Sequence, residues 1–148
     1  MPVSEVTTVD ASLRDWLRLI RPQQWIKNAF VLTPLLFSGN FLDFRADLRA
    51  GLAFISFCLL ASAVYAWNDI LDREGDRRHP TKRLRPVAAG RISVPAAGWC
   101  GAILAAVGLV GCALLGQPVL VVAFAYLGLN VLYSVRLKHV VVLDVFCV

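Results

Sequence analysis

Four polar residues stand close together at the end of a long apolar stretch. Residues 67–77 contain the pattern N-D-x-x-D-x-x-x-D, formed by Asn68, Asp69, Asp72 and Asp76. On a helix with 3.6 residues per turn, the three aspartates would lie within about 60° of one another. Carboxylates at these spacings repel, and near a helix C-terminus they also face the negative end of the helix dipole. The pattern therefore predicts a bound cation, and Mg²⁺ is favoured because it binds one or two carboxylates together with water and substrate phosphates.

The acidic residues also allow a purely structural interpretation. Asp69 with Arg73 and Glu74 with Arg78 are spaced i, i+4, so two salt bridges could form on an exposed helix end. These pairs leave the other two aspartates of the pattern unexplained. Ionisable residues at the edge of a membrane helix are functional candidates, so the metal interpretation is preferred.

A basic segment follows the acidic pattern. Residues 79–86 read HPTKRLRP and provide Lys82, Arg83 and Arg85 within reach of the acidic face. Carboxylates, Mg²⁺ and nearby basic groups together are typical of a diphosphate site, where the metal neutralises the leaving group. The competing interpretation is a polybasic patch that holds lipid head groups.

The composition indicates which kind of element positions these groups. Of the 148 residues 58% are hydrophobic and only 17% are charged, and the mean hydropathy is +0.66. In a typical soluble domain about half of the residues are hydrophobic and about a quarter are charged. A membrane protein is therefore expected. The four cysteines all lie within apolar runs and are interpreted as small core residues.

Apolar runs divide the chain into membrane spans. Residues 26–42, 50–67, 94–115 and 118–135 each approach the roughly 20 residues that cross a bilayer as a helix, although Lys27 and Pro34 weaken the first. A fifth run begins at residue 140. We therefore predict an all-α, polytopic transmembrane helical bundle with four spans and the start of a fifth. Residues 1–20 would form a cytoplasmic N-terminal segment without a cleavable signal peptide, and residues 21–148 the transmembrane domain.

The distribution of charge predicts the orientation of the spans. Thirteen of the fifteen basic residues fall on one side of the predicted membrane, and only Arg45 and Arg49 fall on the other. Because cytoplasmic loops collect Lys and Arg, the side that carries loop 72–93 is expected to be cytoplasmic. The basic residues lie at membrane edges without interleaved aromatic residues, so nucleic acid is not an expected partner.

The acidic pattern, followed by Arg77 and by RPVAAG at residues 85–90, resembles the first aspartate-rich motif of the UbiA superfamily of intramembrane prenyltransferases. Residues 21–28, RPQQWIKN, and residues 76–86, DRRHPTKRLRP, are similar to the branch of that superfamily that contains decaprenyl-phosphate phosphoribosyltransferases. ASAVY at residues 61–65 and LKH at residues 137–139 also fit that branch.

The resemblance implies a multi-pass enzyme of the bacterial plasma membrane whose active site faces the cytoplasm. Its donor would be phosphoribosyl diphosphate and its acceptor a polyprenyl (decaprenyl) phosphate, for precursors of cell-envelope polysaccharides. Lipid-phosphate and diphosphate substrates, membrane lipids and Mg²⁺ are the implied ligands. The residues carried over are Asn68, Asp69, Asp72 and Asp76 for metal and donor diphosphate, the three aspartates being catalytic; Lys27, Lys82, Arg83, Arg85 and Lys138 for phosphate oxygens; and Asn28 and Tyr133 for the cavity wall.

The chain also departs from the superfamily pattern. A second aspartate-rich motif is missing, and Asp144 is a lone acidic residue in the fifth run. The sequence is therefore expected to be the N-terminal half of such an enzyme, completed by a missing C-terminal half or by a homo-oligomer. Two alternatives stay open, namely prenyl transfer from a polyprenyl diphosphate to an aromatic acceptor such as 4-hydroxybenzoate, and an inactive membrane fragment.

Overall fold

A computed structural model of the protein describes residues 11–38 and 43–135, and within these ranges every regular element is a helix. A long 3₁₀ helix, Pro22–Leu32, lies between α1 and α2, and a 3₁₀ turn, Lys82–Leu84, lies between α4 and α5. The α-helices are α1 (Leu13–Ile20), α2 (Thr33–Ser38), α3 (Phe44–Leu71), α4 (Arg73–Arg78), α5 (Val94–Leu115) and α6 (Gln117–Val135).

Three of these helices, α3, α5 and α6, are long and apolar enough to cross a membrane. They coincide with three of the predicted spans, which confirms the predicted all-α membrane bundle. Helix α3 is central, because α1, the 3₁₀ helix, α5 and α6 all pack against it. The predicted start of a fifth span lies outside the described residues.

The predicted first span, residues 26–42, is not a single α-helix. The chain instead forms the 3₁₀ helix and then α2, and residues 39–42 are not described. Pro34 has no amide hydrogen, and its ring would clash with the carbonyl of Phe30 in a continuous α-helix. At about 2.0 Å per residue the 3₁₀ helix is about 22 Å long, and α2 adds about 9 Å.

The 3₁₀ helix lies along α3 through one row of side chains. Because it has three residues per turn, residues three apart stand above one another. Trp25 donates a hydrogen bond from Nε1 to Ser62 Oγ at 3.0 Å, and Asn28 donates from Nδ2 to Cys58 Sγ at 3.5 Å. The buried Ser62 hydroxyl donates in turn to the carbonyl oxygen of Ile20 at 2.8 Å. The RPQQWIKN segment therefore attaches the start of the bundle to α3.

Small residues bring α5 close to α3. The positions of Gly101 and Gly108 leave no room for a side chain, because a Cβ on Gly101 would lie 2.6 Å from Trp67 Nε1, and one on Gly108 would lie 2.9 Å from the Ser56 carbonyl oxygen. Such small residues allow membrane helices to approach closely without a soluble protein's hydrophobic driving force.

The cysteines agree with the interpretation of them as packing residues. Cys58 in α3 and Cys112 in α5 are buried, Cys100 is partly buried, and all three are free thiols. Cys147 lies outside the described residues.

Helix α1 is fixed at its start by Asp15. Its carboxylate accepts hydrogen bonds from the hydroxyl and amide of Ser12, which in turn caps the helix. Asp15 Oδ1 also lies 2.7 Å from Arg91 Nε, and Arg91 Nη2 donates to the carbonyl oxygen of Leu84 at 2.7 Å. Asp15 therefore ties α1 to the loop between α4 and α5.

We expect this tie to weaken in acid. The Ser12 hydroxyl and then Arg91 lower the pKa of the Asp15 carboxyl from its usual value of 3.8. A lowered pKa contributes stability above pH 4, and this contribution is lost as the pH falls through the lowered pKa. D15N should lower the Tm at pH 7, and the difference from wild type should shrink below about pH 4. Thermal unfolding in detergent across this pH range, with the exposed D47N as control, checks this. A difference that is independent of pH would contradict it.

Candidate functional site

Two arginines and two buried aspartates meet at the end of α3. Asp69, in the last turn of α3, is only 1% exposed, and Asp76 in α4 is only 4% exposed. Arg85 Nη1 lies 3.3 Å from Asp69 Oδ1 and 2.7 Å from Asp76 Oδ2, and Arg21 Nη2 lies 2.6 Å from Asp69 Oδ1. We call these four residues the Arg–Asp cluster. Two of the predicted carboxylates do face one cation, and that cation is the guanidinium of Arg85.

The turn between α3 and α4 brings the two carboxylates together. Asp72 caps α3 with φ −89° and ψ 0°, and its amide donates to the carbonyl oxygen of Asn68 at 2.9 Å. The amide of Asp76 then donates to the carbonyl oxygen of Asp72 at 2.8 Å. The acidic pattern thus runs through a break between two helices, where the sequence predicted one continuous helical face.

Arg21 enters the cluster through an unusual backbone conformation. With φ 55° and ψ 56°, it is the non-glycine residue with positive φ among those described. This region costs an ordinary residue about 1–2 kcal/mol, and the following Pro22 disfavours the α-helical alternative. The guanidinium pairs with Asp69 and lies 4.8 Å from the ring centroid of Tyr65. Sequence reasoning used Arg21 only as part of a motif and missed it as a site residue, although the X-Pro step was the signal for a sharp turn.

The loop that carries Arg85 is held against the bundle. Pro86, Val87 and Ala88 are buried, and Arg77 Nε donates to the carbonyl oxygen of Ala88 at 3.1 Å. Arg85 therefore starts from a fixed backbone, which reduces the entropy lost when its side chain is ordered.

The salt bridges of the structural interpretation form with other partners. Glu74 lies 3.2 Å from Arg77 and 3.9 Å from Arg73, all on the partly exposed surface of α4. Asp69 pairs with residues distant in sequence, as described above, because it is buried where the loop and α1 meet α3.

The fit of a metal ion to this region depends on a single oxygen atom. Asp69 Oδ2 is buried and has no hydrogen-bond partner among the described residues, and such a buried acceptor is costly unless a donor or cation reaches it. Within residues 11–38 and 43–135, no three His, Cys, Asp or Glu side chains gather closely enough to hold a metal. The predicted set Asn68, Asp69, Asp72 and Asp76 is therefore not a preformed cage, because Arg85 lies between two of its carboxylates and Asn68 Oδ1 accepts from Ser134 Oγ at 2.6 Å. Asp69 still fits Mg²⁺, which takes few protein ligands.

A cavity of about 470 Å³ lies between α3 and α6. Asn68 and Tyr133, both predicted as substrate-binding residues, line it together. The other polar side chains that line the cavity, those of Tyr65, Tyr126 and Asn130, were not predicted from the sequence. The remaining lining residues are Ala61, Val64, Tyr65, Tyr126, Leu129 and Asn130.

A second concavity, of about 330 Å³, lies between the start of the bundle and the loop after α4. Three of its walls are arginines, and none is acidic. We call it the basic pocket; it is lined by Arg18, Arg21, Gln23, Gln24, Thr81, Leu84, Arg85 and Pro86.

The other predicted phosphate ligands do not join the cluster. Lys27 is exposed on the 3₁₀ helix, while Asn28 of that helix packs against Cys58. Lys82 and Arg83 are exposed in the 3₁₀ turn. Lys138 lies outside the described residues.

The sequence profile described as the UbiA prenyltransferase family matches residues 29–148. The chain belongs to this family. It is 42% identical to the uncharacterized protein y4nM of Sinorhizobium fredii, over 90% of this chain and 26% of that protein. It is 41% identical to the decaprenyl-phosphate phosphoribosyltransferase of Mycolicibacterium smegmatis, over 87% of this chain and 42% of that enzyme.

A third relative carries a different name. The nodulation protein NoeC of Azorhizobium caulinodans is 38% identical over 85% of this chain and 41% of its own length. The chain thus spans less than half the length of each of these relatives. Membership of the UbiA prenyltransferase family confirms the resemblance predicted from the acidic motif.

Proposed function

We propose that this chain forms the donor-binding part of an enzyme that transfers a phosphoribosyl group from phosphoribosyl diphosphate to a polyprenyl phosphate. The observation that carries the proposal is the Arg–Asp cluster, which places two partly buried guanidinium groups at the C-terminal end of α3. The identity of about 40% to decaprenyl-phosphate phosphoribosyltransferases supports this choice of donor and acceptor.

The cluster suits a reaction in which negative charge develops on a leaving group. The bond between the anomeric carbon and the diphosphate breaks, the diphosphate keeps the electron pair, and an oxygen of the lipid phosphate forms the new bond to that carbon. Arg85 and Arg21 would hold the diphosphate, because planar guanidinium groups bind phosphate oxygens in pairs. Donors positioned where charge develops stabilise the transition state most. No protein nucleophile is required.

Magnesium would bind at the acidic side of the same cluster. Asp69 through Oδ2, with Asp72 and Asp76, would be its protein ligands, and Asn68 would lie beside them. When bound, the ion would neutralise charge on the departing diphosphate. Asp69 and Asp76 also have a role of their own, because Asp69 holds Arg21 and both carboxylates hold Arg85 in position before substrate arrives.

The acceptor fits the cavity between α3 and α6. Its tyrosines and asparagines, including Asn68 and Tyr133, offer hydrogen bonds next to apolar walls, which suits a phosphate attached to a lipid chain.

The basic residues of α1 and of loop 72–93 meet at the end of the bundle that carries the Arg–Asp cluster, whereas Arg49 donates to the carbonyl oxygen of Leu115 at the opposite end. We therefore place the cluster at the cytoplasmic face of a bacterial plasma membrane.

Two substrate pairs test the proposal in membranes that contain the protein. Labelled phosphoribosyl diphosphate with decaprenyl phosphate should give labelled lipid and free diphosphate, and EDTA should abolish the reaction. A prenyl diphosphate with 4-hydroxybenzoate is the competing pair, as expected for aromatic prenyl transfer. D69N should lose the first activity, while D47N, at the other end of α3, should keep it. Product from the second pair alone, or full activity of D69N, would overturn the assignment.

A further inference from the structure

The basic pocket is separate from the acidic side of the cluster. Asp69 and Asp76 hold Arg21 and Arg85 but do not line the pocket, whose polar walls are arginine, glutamine and threonine side chains. The two carboxylates thus lie behind the guanidinium groups, and the arginines stand between an acidic interior and a basic opening.

The walls of the pocket have the chemistry of an anion site. A guanidinium has five N–H donors, and Arg85 reaches both aspartates through Nη1 alone, while Arg21 reaches Asp69 through Nη2. These pairs do not exhaust the donor capacity of either group. The two arginine side chains are 20% and 26% exposed, so they are accessible but already ordered. Pre-ordered donors bind a ligand at a lower entropic cost.

Arg18 provides the net charge of the pocket. The Arg–Asp cluster alone is neutral, with two positive and two negative groups, whereas Arg18 lies on the exposed side of α1 one turn before Arg21. A phosphomonoester carries a charge between about −1.5 and −2 and three acceptor oxygens at pH 7. The three guanidinium groups around the opening provide N–H donors for these three oxygens, and Arg18 adds a positive charge that no described carboxylate of the pocket lining offsets.

We propose that the basic pocket binds a phosphomonoester through Arg18 and the remaining N–H donors of Arg21 and Arg85. The phosphomonoester would lie beside the diphosphate that Arg21 and Arg85 also contact, and apart from the carboxylates that would hold metal. This inference rests on the proposed function. It adds that a phosphate group of the substrates, other than the leaving diphosphate, binds in the basic pocket. The phosphomonoester has two possible sources, a sugar 5-phosphate in solution or the phosphate of a lipid, and the experiment distinguishes them.

Two arginines of α1 give a matched pair of variants. Arg14 and Arg18 are both exposed and stand one turn apart, but only Arg18 lines the pocket. R18Q and R14Q therefore remove the same charge from the same helix. Binding is measured on the purified full chain in lipid nanodiscs, in EDTA, with ribose 5-phosphate in one arm and farnesyl phosphate in the other.

We expect R18Q to weaken binding of one probe about tenfold, as for the loss of a charge-assisted hydrogen bond, and R14Q to change it less than twofold. Discrimination with ribose 5-phosphate assigns the pocket to the sugar donor, and discrimination with farnesyl phosphate alone assigns it to the lipid. Equal effects of the two variants, or no binding of either probe, would overturn the inference.

The two proposals can fail independently. If the Mg²⁺-dependent transfer proceeds normally in R18Q and neither monoester binds, the pocket is wrong and the proposed function stands. If no transfer is detected in wild-type membranes while binding depends on Arg18, the phosphomonoester site stands without the proposed reaction.

Discussion

R85Q should remove nearly all transferase activity and loosen the loop after α4. The substitution leaves Asp76 without its 2.7 Å partner and Asp69 with Arg21 alone, although both carboxylates are almost fully buried. Breaking a buried ion pair costs about 3–5 kcal/mol because the remaining charge is uncompensated. Loss of a group that stabilises developing charge lowers kcat by about 10²–10³-fold.

The neighbouring residues provide the controls for this prediction. R83Q changes an exposed arginine two positions away and should retain activity, while R85K keeps the charge but cannot reproduce the planar fork, so it should recover only part of the activity. Lipid-linked product formation and Tm in detergent are measured for all three. If R85Q matches R83Q in both readouts, Arg85 is a surface residue without a role in the site.

G108V should prevent α5 from packing on α3. Even the Cβ of alanine at this position would lie 2.9 Å from the Ser56 carbonyl oxygen and 2.9 Å from Leu60 Cγ. The backbone oxygen cannot move aside as a flexible side chain can. Overpacking costs about 1–3 kcal/mol for small additions, and valine adds two more carbons, so we expect a loss of about 3 kcal/mol or more.

Gly128 of α6 is the matched control, because a Cβ there meets no atom within 4 Å. G128V should therefore leave folding nearly unchanged, and G108A should fall between the two valine variants. The fraction of monodisperse protein after extraction from the membrane, together with Tm, ranks the three variants by stability. An equal loss for G108V and G128V would show that valine itself is not tolerated in these helices, and the close approach of α3 and α5 would not be the cause.

The sequence predicted one local feature of the site, namely that Arg85 lies close to the acidic pattern. Asp69, Asp76 and Arg85 lie within one stretch of 17 residues, so spacing and charge alone indicated that they meet. The spacing also predicted that the carboxylates need a cation, but it did not show that Arg85 itself provides one. Composition cannot distinguish a metal ion from a guanidinium group, because either cation can neutralise the negative charge of the carboxylates.

The contacts between distant residues could not be predicted from spacing. Arg21 is 48 residues from Asp69, and the two meet only because a left-handed turn redirects the chain between α1 and the 3₁₀ helix. Lys27 was the predicted basic ligand in this segment, yet it is exposed on the 3₁₀ helix. An α-helix has 3.6 residues per turn and a 3₁₀ helix has three, so the two helices place the same residue on different faces. The type of helix therefore decides which basic side chain of this segment can reach the site.

The 3₁₀ helix makes this part of the chain intolerant of insertions and deletions. At three residues per turn, one residue added between Trp25 and Asn28 rotates every later position by about 120°. Asn28 would then leave Cys58 while Trp25 stayed on Ser62, and the registration of the whole segment against α3 would be lost. Exposed positions such as Ile26 and Phe30 can be substituted in homologous proteins without loss of these contacts, whereas a change of length removes them.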